Sequence, residues 1–237
     1  GLAAGPDGSE NPTGAPLAKI PYRENRERPL NVMIDNTFGY PQAGLREASM
    51  IVEMPVEGGA TRLMTVYDRI DPTQVGPVRS ARDYFHSLSS NMHGILVHDG
   101  GSPQAMAAIE RSEVPTFNAY SSGDLFERSG GRDAPYNLYS SGSSLRSAVN
   151  RLKLGRSRVV SGTIFRPEEN DRSVNELNVV YSGAYESGFR YISDLNVYRW
   201  IRNGKDAVDY SGEAVYVDAV VVATISARVI PDDPEGR

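Results

Sequence analysis

Arg79 and Arg82 flank Ser80 and Ala81, and further along the chain comes Asp99-Gly100-Gly101-Ser102-Pro103. A guanidinium fork suits phosphate or carboxylate, because its N–H groups match two oxygens at once. A Gly-Gly-Ser helix start exposes backbone N–H groups with little side-chain bulk, and the helix dipole adds partial positive charge. The pattern predicts a pocket for an anionic group. Arg62, just after Gly58-Gly59, can join it. His98 ends an apolar run directly before the glycines, where an imidazole can serve as base or hydrogen-bond partner. Arg132 and Asn137, with Tyr139, lie in a Gly/Ser-rich stretch of the kind that forms binding loops. The expected ligand-binding set is therefore Arg62, Arg79, Ser80, Arg82, His98, Gly100, Gly101, Ser102, Arg132 and Asn137. In the competing arrangement the glycines form a plain turn and cap, and the arginines are neutralised by Asp83, Asp99 or Glu57. Asp35, Glu57 and Asp99 are hard oxygen donors, but no metal-ligand spacing is present, so neither metal nor cofactor is expected.

The elements that must carry these residues follow from hydrophobic period. Asn31–Asp35, Ser49–Val56, Arg62–Arg69, Val75–Val78 and Ile95–His98 read as strands, and Gly44–Ala48 as one helical turn. Ser80–Met92 places Ala81, Phe85, Leu88 and Met92 at helical spacing. Ser102 suits an N-cap and Pro103 the first helical position, for a helix to about Arg111. Ser144–Leu152 reads as a last helix, ended by Gly155. Thr116 to Gly142 reads as loop. Val75 to Arg111 is then strand, helix, strand, helix. Parallel neighbours in that order set both helix starts at the carboxyl edge of the sheet, where open α/β sheets bind ligands.

After Gly155 the texture changes to Val, Tyr and Ile: Val159–Phe165, Glu176–Tyr181, Leu195–Arg202, Ala207–Tyr210 and Val215–Ile230 read as strands. Asn203-Gly204 is a hairpin signal, since both central positions of that turn take positive φ. The expected class is α+β: a mixed α/β N-terminal domain over 28–155 with a short parallel βαβα unit, then a β-rich domain over 156–237. Residues 1–27, rich in Gly, Pro and Ala, read as a flexible tether. The aromatics of the second domain fit strand packing.

Composition excludes several classes. The 237 residues carry 25 Lys+Arg and 30 Asp+Glu, a net charge of −5, which disfavours non-specific nucleic-acid binding. With no cysteine, disulfides, thiolate nucleophiles and cysteine-bound metals are out. No apolar run approaches the ~20 residues of a membrane span.

MIDN (Met33–Asn36), PQAGL (Pro41–Leu45), VEGGATR (Val56–Arg62), GPVRSARDYF (Gly76–Phe85), HDGGSPQA (His98–Ala105) and APYNLY (Ala134–Tyr139) occur in this order. In these pieces, and from about Arg28 onward, the chain resembles the YerB-like lipoprotein family, bacterial proteins of unknown function. The resemblance implies an extracytoplasmic, lipid-anchored envelope protein with an α/β domain followed by a β-rich one. It implies no reaction. Any membrane contact would come through a lipid anchor absent from this chain. Two departures stand out: Tyr136 occupies a position where the family usually has His, and the family's second domain continues beyond the equivalent of Arg237, so the chain reads as a trimmed form.

The expected function is an extracytoplasmic binding module for an anionic envelope ligand, such as a phosphorylated precursor or polymer. Two rivals remain. One is a phosphoryl or glycan-phosphate transfer enzyme; Arg62, Asp71-Pro72 and Ser80-Ala81-Arg82-Asp83 are loosely similar to the layout of LytR-CpsA-Psr ligases. The other is a structural subunit of an envelope assembly, with the β-rich domain as its protein-contact surface.

Overall fold

The computed structural model describes residues 27–37, 42–68, 70–129, 131–155, 174–226 and 229–230. Its first sheet has five strands in the order β2-β3-β1-β4-β5: β1 Leu30–Asp35, β2 Met50–Pro55, β3 Thr61–Tyr67, β4 Ile95–His98 and β5 Thr116–Asn118. β3 runs antiparallel to β1 and β2, whereas β4 runs parallel to both β1 and β5. Among the described residues three α-helices accompany it: α1 Asp83–Asn91, α2 Pro103–Glu110 and α3 Gly142–Arg151.

The alternation of side chains along a strand explains the layers. Leu30, Val32 and Ile34 of β1, with Ile95 and Val97 of β4, join Leu145, Ala148 and Val149 of α3 on one face. Met33, Met64 and Leu96 point the other way, onto Phe85 of α1 and Ala105 of α2. β1 is buried throughout and apolar apart from the terminal Asp35 and Asn31, whose Nδ2 donates to Ser89 Oγ at 2.8 Å.

A hairpin follows: β6 Glu127–Arg128 with β7 Leu138–Tyr139. The second sheet is antiparallel, with β8 Glu176–Val180, β9 Glu186–Ile192, β10 Val197–Arg202, β11 Lys205–Asp206, and β12 Tyr216–Val217 also on β10. Trp200, Ala207 and Val215 of this region share the core of β1 and α3. The class is α+β, as expected.

Several elements differ from expectation. Val75–Val78 is not a sheet strand: Val75, Gly76 and Val78 make isolated antiparallel bridges to Ser140, Ala43 and Ile34. Pro77 has no N–H to give a ladder. The parallel unit is instead β4–α2–β5, with β1 on the far side of β4. α1 starts at Asp83 rather than Ser80, because Arg82 is extended (φ −124°, ψ 155°) and Ala81 bridges Gly101. α3 starts at Gly142 rather than Ser144, with Ser141 Oγ accepting from the Ser144 N–H at 3.2 Å.

The expected loop over Thr116–Gly142 contains β5 and the β6–β7 hairpin, strands too short to show a period. β9 was not apparent, because Gly188 breaks its apolar pattern. A Cβ there would stand 2.6 Å from Oδ1 of the exposed Asn178 side chain, which would have to turn aside. Asn203 and Gly204 take φ 46° and 75°, the hairpin geometry expected. Among the described residues of Val215–Ile230 strand pairing is confined to Tyr216–Val217, with Val215 joining Trp200 and Ala207 by backbone hydrogen bonds, and Ala207–Tyr210 supplies isolated bridges at Val208 and Asp209. Val159–Phe165 and nearly all of the expected tether lie outside the described residues.

Candidate functional site

Arg62 stands opposite Asp35 in the β1–β3 register, at the carboxyl end of β1. Its Nη1 donates to the Ser80 carbonyl at 2.9 Å. Arg62 is 6% exposed, and its Nε has no hydrogen-bond partner among the described residues. Burial, together with the charges of Arg82 and Arg79, brings its pKa down to about 10.

Arg82 grips Glu57 in a fork: Nε donates to Oε2 at 2.9 Å and Nη2 to Oε1. Its Nη1 donates to the Ala81 carbonyl at 2.8 Å. Burial alone would raise the Glu57 carboxyl, but the hydrogen bond and charge of Arg82 hold it below the usual carboxylate range. Arg79 donates from Nε to Asp35 Oδ1 at 3.1 Å, and the other Asp35 oxygen accepts the Thr37 N–H at 2.8 Å. The Arg79 guanidinium lies 5.4 Å from the Tyr136 ring centre. Three guanidinium groups thus meet two carboxylates. The Arg79 side chain keeps 19% exposure, and its two terminal nitrogens have no hydrogen-bond partner among the described residues.

The glycine cradle sits beside this cluster but faces inward. Residues 79–82 and 99–102 run alongside each other: Asp99 N–H donates to the Arg79 carbonyl (3.0 Å), Ala81 N–H to Gly100 (2.9 Å) and Ser102 N–H to Ala81 (3.2 Å). Gly100, at φ +63°, gives its N–H to Asn118 Oδ1 at 3.0 Å. Ser102 caps α2 by accepting from the Ala105 N–H at 3.1 Å. The N–H groups of Gly100, Ser102 and Ala105 are therefore spent within the protein, a use that sequence spacing does not reveal.

His98 is fully buried, with Nδ1 2.7 Å from the Gly100 carbonyl and Nε2 without a partner among the described residues. Burial pushes its pKa down, and does the same to His86, whose Nε2 is also unpartnered among the described residues. Arg132 and Asn137 shape the hairpin loop: Asn137 Nδ2 donates to the Arg132 carbonyl at 2.8 Å and its Oδ1 accepts from Arg128 at 2.7 Å. The loop reaches the arginine cluster through Tyr136 instead. Tyr136 is thus a neighbour of the site outside the expected ligand-binding set, and Asp35, expected only as an oxygen donor, is the partner of Arg79. The signal for Asp35 is its position at the end of a buried, mostly apolar strand.

A second polar group lies beneath the C-terminal sheet. Glu53 accepts from Thr61 (2.7 Å), Asn36 (3.0 Å) and Ser187. Burial outweighs these donors and the charge of Arg202, so its carboxyl pKa is raised. Arg202 reaches across to Gln42 Oε1 at 2.7 Å and to the Asn36 carbonyl at 3.3 Å.

Residues 13–155 match a family described as protein of unknown function (DUF3048), N-terminal domain. The chain belongs to this family. It is 29% identical over 237 residues to "Putative lipoprotein YerB" of Bacillus subtilis (strain 168), covering 94% of this chain and 70% of the relative. The crystal structure of the YerB protein from Bacillus subtilis superposes with a TM-score of 0.71 at 28% identity, over 80% of this chain and 66% of that one. The chain thus spans just under two thirds of the solved relative. The resemblance found in the short motifs holds along the chain. Among the described residues no helix is long and apolar enough to cross a membrane.

Proposed function

We propose that the protein is an extracytoplasmic, lipoprotein-type binding module that receives an anionic group of a cell-envelope ligand, phosphate or carboxylate, at Arg79. The observation that carries this reading is the surplus of positive charge at the carboxyl edge of β1. Arg82 is saturated by Glu57, but Arg79 spends only Nε on Asp35 and keeps its terminal fork. Arg62 is the buried cation behind it. An uncompensated buried charge is costly, and an anion at Arg79 would relieve it. The aromatic face of Tyr136 holds the guanidinium plane in place.

The test is a thermal-shift series with inorganic phosphate, pyrophosphate, a sugar phosphate and acetate. Saturation at a hundred times Kd adds about 2.7 kcal/mol of stability. Arg79→Met removes the shift, and Arg79→Lys keeps part of it. No shift with any anion, or an equal shift in Arg79→Met, overturns the reading.

The structural-subunit reading has its own support. Val221, Val222, Ile225 and Val229 are 65%, 40%, 62% and 65% exposed, an apolar strip in the C-terminal region. The transfer-enzyme reading has weaker support, since His98 is fully buried and its Nδ1 is engaged by the Gly100 carbonyl.

A further inference from the structure

A hollow of about 260 Å³ opens beyond the carboxyl ends of β4 and β5, walled on the other side by the β6–β7 hairpin. Asp99, Ala119, Tyr120, Phe126, Arg128 and Leu138 line it. We propose that this hollow is a saccharide site that seats one pyranose ring against Tyr120, with Asp99 and Arg128 taking its hydroxyl groups.

Tyr120 is 83% exposed, so its ring is open to a ligand. It is nevertheless held. Its ring lies on Gly100, where a Cβ would stand 2.7 Å from Cε2, and the φ of +63° there also favours glycine. Asn118 Oδ1 accepts both the Gly100 N–H (3.0 Å) and the Tyr120 N–H (3.2 Å), tying the platform to the end of β5. Gly100 therefore has a role apart from anion binding: it makes room for the aromatic.

The polar groups fit a neutral polyol. Asp99 and Arg128 line the same hollow without forming an ion pair with each other. The Asp99 carboxylate has no hydrogen-bond partner among the described residues, and Arg128 spends one nitrogen on Asn137 at 2.7 Å. A ligand that satisfies both must donate to one and accept from the other. A sugar hydroxyl does both. The C–H face of a pyranose carries the partial positive charge that an aromatic face attracts. The carboxylate disfavours an anion here and the guanidinium a cation. The volume is at the small end of ligand pockets, which suits a single sugar unit. This inference stands apart from the anion reading, since it uses none of the arginines at Arg62, Arg79 and Arg82.

The experiment is a titration of the isotope-labelled protein, followed by amide NMR. The probes are methyl glucoside, methyl N-acetylglucosaminide, the zwitterion Ala-Ala, and inorganic phosphate. The glycosides shift the amides of Gly100, Tyr120, Gly123 and Phe126 saturably in the millimolar range. Tyr120→Ala weakens this about tenfold, as expected for one aromatic stack; Tyr120→Trp preserves it, Asp99→Asn weakens it, and Arg79→Met leaves it unchanged. Failure of both glycosides to move these amides overturns the proposal. So does a shift with Ala-Ala alone, or equal binding by Tyr120→Ala. Because Tyr120 is exposed, its loss does not threaten folding.

Discussion

Two buried polar groups sit side by side at the same end of β1 and β3, one through Asp35 and Arg62 and the other through their chain neighbours Asn36 and Thr61, and they are built on different plans. At the carboxyl edge, Arg62, Arg79 and Arg82 face Asp35 and Glu57, so charge meets charge and one cation is left over. Beneath the second sheet, Glu53 is held by the neutral donors of Thr61, Asn36 and Ser187, and Arg202 by the neutral acceptors of Gln42 and Asn36. The seam is closed on itself and ties the two sheets together. The arginine edge keeps unused donors close to solvent. A polar group that satisfies itself serves as glue, whereas one left with spare donors is available to a ligand.

The sharpest way to break the contrast is Arg82→Ala. It strands the Glu57 carboxylate and takes one of two donors from the Ala81 carbonyl, which keeps the Ser102 N–H, and lowers unfolding stability by about 3 kcal/mol in urea melts. A loss under about 1 kcal/mol would mean the fork is a surface pair. Next comes Glu53→Ala, which leaves three donors without an acceptor and costs about 2–3 kcal/mol. Glu53→Gln, keeping shape and one acceptor, costs less than half as much. The pH dependence separates the two regions further. Glu53 has a raised folded pKa, so its contribution is complete below the ordinary carboxylate value and is lost as pH rises through the folded one. Glu57 has a lowered pKa, so its contribution is present above the ordinary value and is lost on acidification. Thermal melts across pH should show Glu53→Gln flattening the decline on the rising side alone.

Arg79→Met comes third, at about 1–2 kcal/mol. Asp35 then loses its cation but keeps the Thr37 N–H. The smallest effect belongs to the histidines. His86 and His98 have lowered folded pKa values, so their stabilisation holds above the ordinary imidazole value and drains away as pH falls below it. His98→Gln should reduce the slope of melting temperature against pH on the acid side of ~6.5. An unchanged slope would place the acid sensitivity elsewhere.

Local chemistry made some of this readable without coordinates. β1 and β4 are short apolar runs bounded by polar residues, and Ser102-Pro103 opens α2 as N-cap and first-turn proline do. The Asn203-Gly204 hairpin is of the same kind. Each depends on a few adjacent residues. β9 and the late start of α1 were not readable: Gly188 breaks the apolar pattern of the first, and the second depends on a distant neighbour, Gly101 beside Ala81. Helical spacing from Ala81 to Met92 was real, but pairing with residues 99–102 kept the first turn extended.

The same division runs through the candidate site. Residue types alone placed His98 at the end of the β4 strand and the glycines at the start of α2; that Arg79 and Arg82 lie alongside them came from long-range backbone pairing, not from a parallel strand over Val75–Val78. The tertiary fold alone decided which of those groups remain open to solvent. Hydrogen-bond partners are chosen in space: Asn118 takes the Gly100 amide, Glu57 takes Arg82, and Arg79 keeps its fork. Burial, which sets the cost of leaving a group unpaired, exists only once the layers have closed.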